Sequence, residues 1–166
     1  MTATVDDIKA LREATGAGVM DCRTALDEAG GDIDKARELL REKGLQTAAK
    51  RADRDAAEGV VASYLHGGRI GAMLELNCET DFVARTDIFK TLAHDIAMQI
   101  ASMAPQVIQA ADLPADDQGS PAELALLAQP FIKDPSKTIQ DLINEAVSST
   151  GEKIAVRRFS RFELGA

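Results

Sequence analysis

Apolar residues recur along the first 45 positions at three- and four-residue steps, the spacing that lines one face of a helix. Val5, Ile8 and Leu11 open the series, Val19, Cys22, Leu26 and Ala29 continue it, and Ile33, Ala36, Leu39 and Leu40 complete it. The breaks fall at "TGAG" (15–18) and "GGD" (30–32). Thr4, with Asp7 three positions on, makes an acidic variant of the capping box, and Asp32 is suited to cap the third helix. Gly44, after "LLREK", stands where a glycine ends a helix. Loops this short predict a compact three-helix bundle. A bundle of about 45 residues is marginal alone, so it leans on a neighbour or serves as a recognition head.

The period then changes. Residues 46–58 have no apolar stripe and much charge, and read as a partly helical linker, with Lys50, Arg51 and Arg54 on a solvated face. "VVASYLHGGRIGAMLELN" alternates, and Gly67-Gly68 between its halves predicts a hairpin. Ile70, Ala72, Leu74 and Leu76 share one face of its second strand. Helical spacing returns in "RTDIFKTLAHDIAMQIASM", with Phe89, Leu92, Ala93, Ile96 and Ile100 inward, Thr86 or Asp87 as cap and Pro105 as stop. Residues 110–130 are acidic, contain Pro114, Pro121 and Pro130, and hold a short helical candidate, "AELALLAQ". "FIKDPSK" (131–137) reads as a loop. Thr138 can cap a helix with Ile139, Leu142, Ile143 and Ala146 inward, and Gly151 turns the chain into a last strand, "KIAVRRFSRFEL". The expected architecture is α+β: a three-helix bundle over 1–45, a charged linker over 46–58, and over 59–166 a three-stranded antiparallel sheet with helices on one face. Such a sheet has two open edges, which invite pairing with another copy.

Composition narrows the function classes. Aromatics are only 4% of the chain, with no Trp, so the core must be mostly aliphatic. A net charge of −8 argues against direct nucleic-acid binding, because phosphates reward Lys and Arg. No segment has the length to span a bilayer, and "MTATVDDIKALREATG" resembles neither a signal nor a transit peptide. Two cysteines, Cys22 and Cys78, are too few for a zinc site by themselves and fit a reducing, cytoplasmic setting. The glycine-rich "GAG" and "HGGR" lack the context of a phosphate loop. The two histidines, His66 and His94, sit in the hairpin and in a helix, and form no catalytic arrangement with local acids, serines or cysteines. No cofactor is implied, and binding rather than turnover is the expected activity.

The stretch "NCETDFVA" (77–84) is the unusual one, placing acids and an aromatic where a strand should turn. Cys78, Glu79 and Asp81 suggest a metal, but alternation sends Cys78 and Glu79 to opposite faces. Asp81 can be a helix N-cap, and on its residues alone Phe82 reads as a core side chain opening the next helix. Met20 lies off its helix's apolar stripe, so core packing explains it poorly. Arg12 and Arg23 read as solvated surface, His66 as a turn residue and Cys22 as core.

"LREATGAGVMDCRTAL" (11–26) and "LELNCETDFVAR" (74–85) closely resemble the two signatures of the elongation factor Ts family, in the same order. "GDIDKARELLREKG" (31–44) and "PSKTIQDLI" (135–143) are also similar to it. The resemblance implies a non-catalytic guanine-nucleotide exchange factor for elongation factor Tu, engaging that GTPase in its GDP-bound and nucleotide-free states. It implies a ubiquitin-associated-like head, a linker and an α+β core. One core copy fits in this chain, as in the family's short form, which implies a homodimer and a 2:2 complex. Thr80, Asp81, Phe82 and Val83 match the stretch that meets the partner, with Asp81 and Phe82 as the pair intruding near its Mg2+ and nucleotide. Arg12, Val19, Met20 and Arg23 match head positions that touch the GTPase domain. The family usually has Lys at the Arg23 position and often Met at the Val19 position, so charge and apolarity are kept. His66, in "YLHGGRIG", is similar to a histidine-bearing hairpin found in the second core copy of longer members. Two other readings stay open: a ubiquitin-associated-like binding module without exchange activity, and an enzyme using Cys78 as nucleophile.

Overall fold

Caps set the helix starts. In the computed structural model, which describes residues 3–115 and 119–166, helix α1 (Val5–Thr15) begins at a complete capping box. Thr4 Oγ1 accepts from the Asp7 N–H, and the Asp7 carboxylate accepts from the Thr4 N–H, both at 3.2 Å. Helix α1 stops at Gly16, whose φ of 68° is left-handed. Helix α2 (Val19–Glu28) and helix α3 (Ile33–Lys50) follow. The Asp32 carboxylate accepts from the Lys35 and Asp34 N–H groups, and the Lys35 bond first of all holds it below the usual aspartate range. Leu11, Cys22, Ala25, Leu26 and Ala36 are buried together, with Ile8, Ile33, Leu39 and Leu40 packed around them. The apolar stripes form the core as periodicity predicts, except at the first turns of α1 and α2, where Val5 and Val19 are exposed.

The third helix does not end at Gly44. It runs on to Lys50, taking in the first part of the charged stretch. Gly44 is buried mid-helix, where an added Cβ would stand 3.3 Å from Ser148 Oγ and 3.7 Å from the Asn144 carbonyl oxygen. The glycine therefore serves close approach rather than termination. Arg51 also donates to the Val147 carbonyl, at 3.3 Å. By its contacts the chain forms two units, one reaching to Arg54 and including Asn144–Glu152, the other comprising Asp55–Ile143 and Lys153–Ala166.

In the second unit, strands β1 (Glu58–His66) and β2 (Ile70–Cys78) form an antiparallel hairpin pairing His66 with Ile70 and Glu58 with Cys78. Both central residues of the turn, Gly67 and Gly68, have positive φ, 55° and 68°, as a right-twisted two-residue hairpin demands. Helices α4 (Asp81–Ala84), α5 (Asp87–Met103) and α6 (Pro121–Leu124) come next, then strands β3 (Pro130–Phe131) and β4 (Asp134–Thr138), helix α7 (Ile139–Thr150) and strand β5 (Ile154–Glu163). The main sheet has order β1-β2-β5 and is antiparallel throughout. Helix α5 packs on it, and Phe89, Ile96 and Ile100 share the core with Leu74 and Leu76. The fold is α+β, as expected from the pattern. No helix among the described residues is long and apolar enough to cross a membrane.

Two local readings need correction. "FIKDPSK" is not a loop: β3 and β4 form a small ladder pairing Pro130 with Thr138 and Phe131 with Asp134. Phe131 is buried, and the Ile132 N–H is taken by the buried Gln99 side chain at 3.0 Å, a tertiary tie that local composition does not announce. "AELALLAQ" is not one helix either. Leu126 and Leu127 donate to the Val107 and Ile108 carbonyls, which breaks it into α6 and a 3-10 turn, Leu126–Ala128. The acidic run read over 110–130 includes 116–118, which lie outside the described residues.

Candidate functional site

The last three residues of strand β2, Leu76, Asn77 and Cys78, are buried, and the turn after it is tied down at each position. Cys78 Sγ donates to the Thr80 carbonyl at 3.1 Å. The Glu79 carboxylate accepts from the Lys153 N–H at 2.6 Å, stitching the turn to the chain just before β5. Thr80, not Asp81, is the N-cap of α4, its Oγ1 accepting from the Val83 N–H at 3.4 Å. Val83 and Ala84 are buried and seat this single turn. Phe82 points the other way and is 83% exposed, so the reading of it as a core side chain fails. Asp81 pairs with Arg85 one turn on, at 2.7 Å.

The metal reading of this stretch finds no support in the geometry. Cys78, Glu79 and Asp81 are each turned to a different protein partner, and no group of three His, Cys, Asp or Glu among the described residues could hold an ion. Cys78 is fully buried, which withholds it from the substrate a nucleophile must reach. Burial likewise raises the Cys22 thiol pKa, keeping it a protonated core group.

The head residues gather around the α1–α2 junction. Thr15 is buried there, donating to the Leu11 carbonyl at 2.7 Å and accepting from the Ala17 N–H at 3.3 Å, so the loop is fixed. Val19 and Met20 form the start of α2 and are exposed, Met20 at 66%. Arg12 lies in the last turn of α1, and Arg23 pairs loosely with Asp27 at 3.9 Å.

His66 is not brought to the Phe82 turn. It sits at the Gly67-Gly68 end of the hairpin, whereas 80–83 follow the far end of β2, a strand's length of roughly 27 Å away. Its Nδ1 lies 3.2 Å from Tyr64 Oη, with the rings stacked, and the Tyr64 ring also meets His94 edge-on at 5.7 Å between centroids. Sequence reasoning also missed the outward sheet face, where Val61, Leu65, Met73 and Phe162 are all exposed. The signal was there, since "VVASYL" is apolar at both alternating sets of positions.

These features define an α+β chain of two units that presents protruding side chains on a turn held by burial and hydrogen bonds. The family model for "Elongation factor TS" matches residues 6–120. Elongation factor Ts of Moorella thermoacetica is 48% identical over 190 aligned positions, covering 96% of this chain and 94% of that protein. Elongation factor Ts of Carboxydothermus hydrogenoformans is 49% identical, covering 95% of this chain and 87% of that protein, and that of Herpetosiphon aurantiacus is 44% identical over the whole of both. The chain belongs to the elongation factor Ts family.

Proposed function

We propose that this protein is the guanine-nucleotide exchange factor for elongation factor Tu, and that Phe82 and Asp81 act on the Mg2+ and phosphate site of that GTPase. The observation that carries the reading is the exposure of Phe82 on a turn whose other residues are buried or bonded. A large apolar side chain is held in water, at a cost, on a turn seated by buried Val83 and Ala84 and capped by Thr80. Mg2+ requires near-ideal octahedral oxygen coordination. A GTPase therefore holds GDP tightly only while its phosphate loop and metal ligands stay aligned. Phe82 is the wedge that repacks side chains behind that site. Asp81 is its polar companion, reaching the metal's surroundings when its bond to Arg85 opens. Met20, Val19, Arg12 and Arg23 anchor the head, Thr80 and Val83 mount the wedge, and His66 serves a separate contact. The chain makes and breaks no bonds; it lowers nucleotide affinity, and nucleotide lowers its own affinity by the same ratio. The setting is the cytoplasm.

Two copies supply the two core halves and give a 2:2 complex with elongation factor Tu. The outward sheet face is the surface that joins them, because its exposed apolar side chains are otherwise left in water.

The test is release of labelled GDP from elongation factor Tu at saturating factor. Phe82→Ala should slow release at least tenfold while binding, measured separately, changes little. An unchanged rate removes the wedge role. Binding of the wild-type chain without any acceleration supports the binding-module reading instead.

A further inference from the structure

The outward face of the main sheet is built in four cross-strand rows, the last of them Gly59, Asn77 and Ala155 at the end away from the hairpin turn. Leu65, Gly71 and Phe162 form the row beside the hairpin turn, Ser63, Met73 and Ser160 the next, and Val61, Glu75 and Arg158 the third. A hollow of about 570 Å³ lies over Gly71, walled by Leu65, Met73, Phe162 and Leu164. Across these rows the only ionisable side chains are Glu75 and Arg158, whose Nε donates to the Glu75 carboxylate at 2.7 Å. Arg158 is largely exposed and Glu75 about a quarter exposed.

We infer that Glu75 and Arg158 are the specificity-determining pair of the sheet-to-sheet contact between two copies of this chain, fixing the orientation in which the copies meet. This rests on the dimer proposed above and says what selects it. A two-fold interface joins the same patch on both copies, so that patch must be self-complementary. A chain of net charge −8 repels its own copy over most approaches. The third row carries one acid and one base side by side, and the hollow is edged by a further base and acid, Arg69 and Glu163, so the face can meet itself without like charges opposed. Apolar rows alone would allow sliding. A single charged pair in an apolar contact biases register, because an off-register placement sets each pair against apolar side chains of the other copy instead of against its counterpart. The neighbourhood is consistent with that role. Arg158 and, more weakly, Asn77 and Arg157 favour the ionised form of Glu75, and Asn77 Oδ1 is a buried acceptor with no protein donor. Arg157 occupies the bulge where the β2–β5 register shifts.

Charge reversal tests it by sedimentation of the full chain. Glu75→Arg puts only positive charge on the third row, and Arg158→Glu puts only negative charge there. Each variant alone should dissociate, with the dimer Kd raised about tenfold or more. The effect should be larger for Glu75→Arg, because Arg157 partly offsets the second acid in Arg158→Glu. Mixing the two variants should restore a dimer holding one copy of each. Circular dichroism confirms that each variant is folded. Two variants that still dimerise alone overturn the inference and leave the dimer standing. Two that dissociate and do not recombine overturn it as well. A wild-type chain that sediments as a monomer overturns the dimer and this inference together.

Discussion

Two buried amides, Gln99 and Gln129, tie helix α5 to the segment before α7. Gln99 Nε2 donates to Gln129 Oε1 and to the Pro130 carbonyl, both at 3.1 Å, and its Oε1 accepts from the Ile132 N–H at 3.0 Å. Gln129 Nε2 in turn donates to the Glu123 carbonyl at 2.7 Å. Gln99→Leu keeps the volume and strands these groups in the interior, where each lost bond costs about 1–3 kcal/mol. The variant should be less stable by about 3 kcal/mol in urea melts, and a loss below about 1 kcal/mol would show that water or a shifted hairpin takes over. Gln99 also marks where reading residues singly falls short. It sits between Met98 and Ile100 on a plain amphipathic helix, and nothing local says that its amide has a partner thirty positions later. Phe82 is the same lesson reversed. Its apolar character suggested burial, while its exposure follows from Thr80 capping α4 and Val83 taking the inward position.

Element boundaries were legible wherever a side chain marks them. Thr4, Asp32, Thr86 and Thr138 cap the helices they were assigned, the last through a box with Asp141. They failed where a glycine or an apolar run has a tertiary purpose, as at Gly44 and in 122–129. The end of α5 is unusual. Its C-cap is Ala104, at φ 47° and ψ 51°, the one described non-glycine residue with positive φ, and Pro105 follows it. Left-handed backbone costs an alanine about 1 kcal/mol that glycine avoids. Ala104→Gly should therefore raise stability by up to about 1 kcal/mol, read as a higher Tm in calorimetry. A lower Tm would mean that glycine's greater freedom in the unfolded chain outweighs the relief.

At the scale of the whole molecule, charge and shape act together. The pattern of alternation placed the sheet and its inward face, but not the apolar outward face, because Phe162 joins the row of Leu65 and Gly71 only once β5, from the far end of the chain, aligns with the hairpin. If two copies join there, assembly carries a pH signature. The Arg158 hydrogen bond holds the Glu75 carboxyl below its usual range. The contribution of the pair to fold stability is then complete above the ordinary glutamate pKa of about 4.3 and is lost as pH falls through the lower folded value. Protonation also leaves Arg158 without its counter-charge in the contact, so dimer affinity should stay level from pH 8 to 5 and fall only in the acid range where Glu75 is protonated, with circular dichroism confirming that the fold persists. Glu75→Gln should abolish the step, and a variant that keeps it would assign the step to other carboxylates.

Asn144–Glu152 belongs with the first unit although about ninety residues separate it from Arg54. During synthesis the chain emerges at about 5–20 residues per second. The three N-terminal helices are therefore in solution for several seconds before the ribosome makes the segment that fits against Gly44. The three-helix unit is thus among the last parts of the chain to be finished, and a protein interrupted before residue 144 carries these helices without their support.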